Sequence, residues 1–256
     1  MSLLGNYEII KEIAEGGFSR IFQGRHTILN EYACLKQNKE ATKDDVALLE
    51  LEAKLLWNLS EHHSIPSTKD FFRLGKHNCV MVMDYIEGKT IDQTIPDGSQ
   101  MHPEEACWIT ERLLGALYYV HYNGVIHSDI KPQNVIIEPK KHDIKLIDFG
   151  LATFKPTSGS RPVGYTAQYA APEVLDMKPP IPESDLYGAG IIMLYALGGD
   201  IPTKSFPKNT PKPIVEFCNP LLRYDPKDRP NWDKINLIEE LSDVRYEVFG
   251  RRHCSE

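Results

Sequence analysis

Apolar residues alternate with polar ones in some stretches of this chain and recur every three or four residues in others. Between Tyr7 and Lys36 the alternation predicts three strands. Tyr7–Ile13 leads into Ala14–Ile21, then come Phe22–His26 and a turn near Leu29-Asn30, and Tyr32–Lys36 closes the set. From Asp44 to Leu59 the period changes: Leu48, Leu51, Leu55 and Leu59 fall on one stripe of an expected helix. Thr68–Leu74 and Asn78–Met83 read as a hairpin turning at Gly75-Lys76-His77. Pro103–Asn123 predicts a long helix, with Pro103 in its first turn and Asn123-Gly124 at its end. Ile109, Leu113, Ala116, Leu117 and Val120 line one of its faces. Val135–Ile137 and Ile144–Ile147 are short apolar runs expected as buried strands, and Tyr187–Leu197 reads as a buried helix, too short to span a bilayer.

Composition narrows the class. The 256 residues suffice for one two-lobed domain or two small ones, and 41% hydrophobic content suits an ordinary core. A net charge of -7 without a Lys/Arg run gives no nucleic-acid footprint. The five cysteines, Cys34, Cys79, Cys107, Cys218 and Cys254, form no Cys-x-x-Cys pair. An odd, scattered set reads as reduced thiols in a cytoplasmic protein. No signal peptide is visible, and Met1-Ser2-Leu3 reads as an optional leader. Asn58-Leu59-Ser60 fits a glycosylation sequon but sits on the expected helix and carries no weight.

Two stretches carry candidate chemistry. His127-Ser128-Asp129-Ile130-Lys131-Pro132-Gln133-Asn134 puts a His, an Asp, a Lys and an Asn within eight residues. The strand Ile144–Ile147 ends in Asp148-Phe149-Gly150. Together they offer a proton acceptor and two oxygen ligands of the kind Mg²⁺ takes while it also holds phosphates. Gly16-Gly17 lies at an expected hairpin tip, where backbone N–H groups approach phosphate without interference from a Cβ. His62-His63 has no carboxylate or Cys set around it and reads as a capping or surface feature.

In this order and spacing, the two stretches resemble the catalytic and metal-binding loops of the eukaryotic-type (Hanks-type) Ser/Thr protein kinases. The resemblance runs from the Tyr7 strand to about Leu241 and implies an α+β, bilobal fold. Residues 1–256 would form one kinase domain: an antiparallel β lobe with one helix over about 5–84, a hinge over about 84–88, and a mostly helical lobe over about 89–250. The implied cofactors are ATP and Mg²⁺, and the implied partner is a protein bearing a Ser/Thr hydroxyl. Asp129 would orient or accept the hydroxyl proton, Lys131 would neutralise the transferring phosphate, and Asn134 and Asp148 would hold Mg²⁺. His127 would pack against Phe149. Lys36 would contact the α- and β-phosphates. Glu50 and Glu52 compete to hold it, and the family spacing to Leu59 selects Glu52. Ala14, Gly16, Gly17, Ser19 and Ile21 would form the phosphate and adenine cover. Met83 would be the gatekeeper, and the backbone of Asp84 and Ile86 would bind adenine. Cys34 and Ile136 complete the nucleotide set. Thr166 falls where the family sets a hydroxyl against the catalytic Asp and Lys. Asp185 would cap the catalytic loop, and Arg229 would pair with Glu173 of Ala171-Pro172-Glu173.

The chain departs from the family pattern in three places. Ala14 and Ser19 replace two glycines of Gly-x-Gly-x-x-Gly. Ser128 replaces the Arg that usually precedes the catalytic Asp. The stretch Asp200–Pro213 is rich in Pro, Lys and Thr, so the helix many protein kinases use there for substrate docking is expected to be shortened or absent. That gap implies weak sequence preference or an adaptor that supplies the missing surface. Besides an active Ser/Thr kinase that also phosphorylates itself, two readings stay open: an ATP-binding pseudokinase scaffold and a small-molecule kinase.

Overall fold

The alternating segments pair into a single antiparallel sheet in the computed structural model, which describes residues 2–95 and 99–252. Its strands are β1 (Leu3–Leu4), β2 (Tyr7–Glu15), β3 (Ser19–His26), β4 (Tyr32–Asn38), β5 (Thr68–Arg73) and β6 (Cys79–Asp84), in the spatial order β1-β2-β3-β4-β6-β5. Leu3 and Leu4 pair with Glu8 and Tyr7, so Leu3, read from the sequence as leader, belongs to the sheet. Tyr7, Ala33, Leu35, Val80 and Val82 form the buried face, with Leu4, Ile9, Phe22 and Phe72 packed against them. This sheet and one helix make up the first of two compact units, Met1–Glu87; the second is Gly88–Glu256.

The helix α1 (Lys43–Leu59) starts where Thr42 Oγ1 accepts from Asp45 N at 3.1 Å, and Asp44 and Asp45 favour its positive end. Its buried face differs from the expected stripe. Leu51 is exposed and Leu48 only half-buried, while Leu49, Glu52, Ala53, Leu55, Leu56 and Leu59 point inward. Leu55 and Leu59 of the expected stripe are buried, and only its first half is shifted by one residue, to Leu49 and Glu52. The cause is Glu52: a charge counted as polar stands in the middle of the buried face. Asn58 is exposed in the last turn of α1, and Ser60 Oγ donates to Trp57 O at 2.9 Å.

In the second unit, β7 (Lys89–Thr90) runs into the short α2 (Ile91–Thr94). α3 (Pro103–Tyr122) and α5 (Pro182–Ala196) pack together as its core. Ile109, Leu113, Ala116, Leu117 and Val120 of α3 are buried as expected. Beyond its acidic first turn α5 is apolar on every side and almost entirely buried, as expected of a core helix. β9 (Val135–Glu138) and β10 (Asp143–Leu146) form a hairpin flanked by β7, in the order β10-β9-β7. Val135, Ile144 and Leu146 are buried, whereas Ile136 and Ile137 are half-buried, because β9 covers the core with only part of its length. β8 (Val125–Ile126) pairs with β11 (Thr153–Phe154), and this places the loops after β8 and after β10 beside each other. α4 (Pro172–Leu175), α6 (Lys212–Leu221) and α7 (Leu237–Phe249) complete the unit. Between Ala196 and Lys212 there is no helix. A tight turn bridges Asp200 to Ser205, and Lys204 Nζ lies 5.0 Å from the Tyr187 ring. Among the described residues no helix is long and apolar enough to cross a membrane. Cys34, Cys79, Cys107 and Cys218 are free thiols, and Cys254 lies outside the described residues.

Arg229 and Glu173 could have been two solvated charges, and they are instead among the most buried. The guanidinium donates to Glu173 Oε1 and Oε2 at 2.7 and 2.8 Å, to three backbone carbonyls, and stacks 4.9 Å from Tyr187. Burial by itself pushes the Glu173 carboxyl up. The bonds from Arg229, its own backbone N–H and Ser184 Oγ outweigh this and hold it below the ordinary carboxylate range. Arg229→Ala strands that carboxylate, so a loss of about 3–5 kcal/mol is expected in urea denaturation. With Arg229 present, the Glu173 contribution should be complete above the ordinary carboxylate pKa of about 4.3 and fade as pH falls through the lower folded value. In Arg229→Ala that part of the pH dependence should disappear.

Candidate functional site

The chemistry expected of His127–Asn134 depends on where the loop leaves β8, and α5 fixes that point. Gly188 lets α5 lie directly beneath the loop: a Cβ there would stand 2.6 Å from Ile130 Cβ. One turn earlier, Asp185 accepts from His127 N and Ser128 N, both at 2.8 Å. Ser128 takes φ +67°, a left-handed conformation costly for a residue with a Cβ, and the two bonds to Asp185 hold it there. Asp129 is thereby turned into a closed set of donors. Its Oδ1 accepts from Thr166 Oγ1 at 2.7 Å. Its Oδ2 accepts from Lys131 Nζ at 2.6 Å and Asn134 Nδ2 at 3.1 Å. Lys131 Nζ also donates to Thr166 Oγ1 at 2.9 Å. A carboxylate, an ammonium and a hydroxyl thus meet in one triangle, a geometry suited to receiving a hydroxyl proton beside a positive charge.

Asn134 is the link to the second loop. Both hydrogens of its amide go to Asp129, to the carbonyl O at 2.9 Å and to Oδ2, so its Oδ1 is the end turned away from them. Its backbone O accepts from Ile147 N at 2.9 Å, which brings the start of β9 against the end of β10. Asp148 follows, exposed and at φ +63°. His127 joins the same junction: its Nε2 donates to Ile147 O at 3.1 Å, its Nδ1 accepts from Asp129 N at 3.3 Å, and its ring meets buried Phe149 edge-on at 4.7 Å. Ile136 stands on β9 opposite Lys145 and Thr90.

The first unit brings Lys36 and Glu52 together. They are 5% and 3% exposed, and Lys36 Nζ donates to Glu52 Oε1 at 2.6 Å. Glu50, the competing residue, pairs with Arg73 on β5. Lys36 stands opposite Ile21 on β3, and Cys34 opposite Met83 on β6. Burial pushes the Cys34 thiol up to about 12, against the opposing pull of Lys36, so it is neutral at pH 7. Gly16 N donates to Ser19 O at 2.8 Å and closes the β2–β3 tip; Ala14 and Gly17 are exposed there and Ser19 is buried. Lys39, just past the end of β4, pins that tip by Nζ to Glu15 Oε1 at 2.6 Å and by N–H to Phe18 O at 2.9 Å. Asp84 ends β6 with its carboxylate bound to Ser67 N and Lys69 Nζ, and half-buried Ile86 follows. His62 and His63 stack at 4.6 Å and bond to Ser64.

Sequence reasoning passed over three residues of the second unit. Ser184 bonds Glu173 at 2.8 Å, and His121 and Trp232 form a chain of contacts ending on Asp185. None of the three belongs to a motif with a recognisable spacing.

The protein kinase domain model matches residues 7–239. The maternal embryonic leucine zipper kinase of Danio rerio is 31% identical over 215 residues, covering 78% of this chain and 30% of that protein. The probable serine/threonine-protein kinase PknB of Lactococcus lactis is 32% identical over 203 residues, 77% of this chain and 32% of its own length. The serine/threonine-protein kinase PrkC of Bacillus subtilis is 30% identical over 206 residues, 77% and 31% respectively. The chain spans about a third of the length of these curated relatives. It belongs to the protein kinase domain family, as a Hanks-type Ser/Thr protein kinase catalytic domain.

Proposed function

We propose that this chain transfers the γ-phosphate of ATP, with Mg²⁺, to Ser/Thr hydroxyls of protein substrates and of itself. The observation that carries the reading is the triangle of Asp129, Lys131 and Thr166. Thr166 already donates a hydroxyl to Asp129 Oδ1, and a carboxylate oxygen accepts more than one donor, so an incoming Ser/Thr hydroxyl is oriented by the same atom. Asp129 takes its proton as the bond to phosphorus forms, and Lys131 neutralises charge on the phosphoryl oxygens. Lys36, held by Glu52, binds the α- and β-phosphates, and the N–H groups around Gly16 and Gly17 cover them. Ala14, Ser19, Ile21, Cys34, Met83 and Ile136 complete the nucleotide site. Residues 84–88 serve as the hinge, with adenine bound by Asp84 C=O and Ile86 N–H.

The side chains suit Mg²⁺. Asn134 turns an oxygen outward and Asp148 offers an exposed carboxylate at the adjoining strand end, both hard donors. Among the described residues no cluster of three or more His, Cys, Asp or Glu side chains could hold a metal by itself. The ion would therefore share its ligands with the nucleotide phosphates, whose charge it neutralises when bound.

An adaptor, or a weak preference beyond the acceptor residue, follows from the turn that replaces a docking helix after α5. The scattered thiols favour the cytoplasm. The pseudokinase alternative draws on Ala14, Ser19 and Ser128, and the complete set Lys36, Asp129, Asn134 and Asp148 speaks against it. Incubation with labelled ATP, Mg²⁺ and a peptide library, followed by mass spectrometry of peptides and enzyme, tests the proposal. Nucleotide binding with no phosphate on either would establish a scaffold instead.

Two sets of variants refine the test. Lys36→Ala and Asp148→Asn should each lower turnover by roughly 10²–10³-fold, the scale of losing one preorganised charge contact. Lys36→Ala also removes a buried partner of Glu52, so its fold is checked by circular dichroism. Asp148→Asn keeps the size of the side chain, and Asn tolerates φ +63°, so the backbone of the turn is preserved. Near-parental turnover in both folded variants removes these residues from the site.

Phosphorylation of the segment before Ala171 should matter little. Ser128 offers no charge, and its side chain turns to Ile126 O at 3.4 Å. Thr157, Ser158 and Ser160 are on or near the surface beside exposed Arg161, whose guanidinium bonds Ser160 O at 3.0 Å. Phosphatase-treated enzyme, autophosphorylated enzyme and a variant with Thr153, Thr157, Ser158 and Ser160 all changed to Ala should agree within about tenfold in one peptide assay. A loss of about 10²-fold or more, several kcal/mol of transition-state stabilisation, rejects the idea.

A further inference from the structure

Asp129 is aimed by the turn at His127-Ser128, and that turn ends on the carboxylate of Asp185, which is 1% exposed. A third group reaches the same carboxylate: His121 Nε2, on α3, lies 2.8 Å from Asp185 Oδ2. The contact is favourable only if Nε2 carries a proton, since a lone pair there would face a carboxylate lone pair. At the other side of the ring, Trp232 Nε1 lies 2.8 Å from His121 Nδ1. An indole N–H can only donate, so Nδ1 is the acceptor and the proton is on Nε2. Two independent neighbours thus demand the same tautomer. Trp232 is half-buried and its ring meets Tyr118 edge-on at 5.4 Å. It stands three residues beyond Arg229, whose bonds to Glu173 anchor the segment from which it projects.

We infer that Trp232 is a positioning residue for phosphoryl transfer, acting through His121 and Asp185 on the turn that aims Asp129. This rests on the kinase reading above. The indole N–H fixes both the tautomer and the ring plane of His121. His121 then completes the donor set around a carboxylate that has no water to turn to. Two further acceptor directions of Asp185 stay committed to His127 N and Ser128 N, and these hold Ser128 at a φ it would otherwise leave. Without the indole N–H, a half-turn of the imidazole puts a C–H against Asp185, and the carboxylate is free to rock away from the loop.

The test compares the full chain with Trp232→Phe, Trp232→Ala, His121→Gln and the His121→Gln/Trp232→Phe double variant, using Mg-ATP and an acceptor peptide. Phe keeps the aromatic packing on Tyr118 and lacks only the donor. Gln offers Asp185 an N–H that needs no tautomer. Trp232→Phe is expected to lower kcat by about 3–10-fold, roughly the effect of one lost hydrogen bond, with KM for ATP changed less than about twofold. In the His121→Gln background the same change should have no further effect, because the two sites then no longer share a partner. Long-range ¹H–¹⁵N spectra should show His121 protonated at Nε2 in the parent and lose that single state in Trp232→Phe. If Trp232→Phe matches the parent while only Trp232→Ala is impaired, the ring merely packs and the inference fails. Additive losses in the double variant, or an unchanged His121 spectrum, overturn it as well. A parent chain that transfers no phosphate overturns the kinase reading, and the role of Trp232 with it. The spectra tell the cases apart, since they report the His121 contact whether or not phosphate moves. Should Trp232→Phe unfold alone, the two His121→Gln variants still decide between shared and independent action.

Discussion

Everything chemical in the second unit hangs on one carboxylate. Asp185 is buried where an isolated charge would be too costly to keep, and it persists because three N–H groups point at it. Two of those come from the peptide backbone of the loop that carries Asp129. The burial of Asp185 and the position of Asp129 are therefore one fact seen from two sides. α5 can bring the carboxylate there because the helix beyond its acidic first turn is apolar and buried, and because Gly188 leaves room for Ile130.

The same logic separates the ion pairs that matter from those that decorate the surface. Lys36–Glu52 and Arg229–Glu173 have both partners buried, and Arg245, itself 1% exposed, pairs with Glu111 to tie α7 to α3. Removing one partner from a buried pair leaves the other charge less well compensated in a poorly solvated place, which costs up to about 3–5 kcal/mol. Lys212–Glu216 is mostly solvated on both sides, and a pair of that kind contributes little. Each unit thus holds at least one charge pair whose loss would be a large fraction of a typical domain stability. In the first unit that pair is built from proposed site residues, so stability and chemistry there cannot be varied independently. In the second, Arg229–Glu173 is not itself a pair of proposed site residues, although it anchors the segment from which Trp232 projects.

How much was legible in the chain follows from the physics of each element. The strands up to Met83, the long α3 face and α5 are legible because period and turn chemistry agree at every level. The loops around Asp129 and Asp148 are legible because residue order within a short span is a strong pattern. The phase of α1 was not: hydrophobic periodicity treats Glu52 as solvent-facing, and only its partner sixteen residues earlier reverses that. Leu3-Leu4 was missed because two residues carry no period. His121 and Trp232 were missed for a different reason, since their contact joins positions 111 residues apart and leaves no local trace. Sequence reading therefore named the candidate groups and Asp185 beneath them, and passed over His121 and Trp232.

The two loops of the second unit also share a strain. Ser128 and Asp148 both take a positive φ, +67° and +63°, at a cost of about 1–3 kcal/mol each. Such conformations last only where neighbours over-determine them. Ser128 is fixed by Asp185. Asp148 is bracketed by Ile147, whose N–H goes to Asn134 and whose C=O takes the His127 ring proton, and by Phe149, packed on that same ring. His127 gives its backbone N–H to Asp185 and its side chain to the Asp148 turn. A rotation of this one ring would release the Asp148 turn and the N–H of Asp129, while the backbone bonds to Asp185 would still hold Ser128. The proton acceptor and the proposed metal ligand are therefore positioned as a coupled pair, and a change at the junction of β9 and β10 must be felt at Asp129.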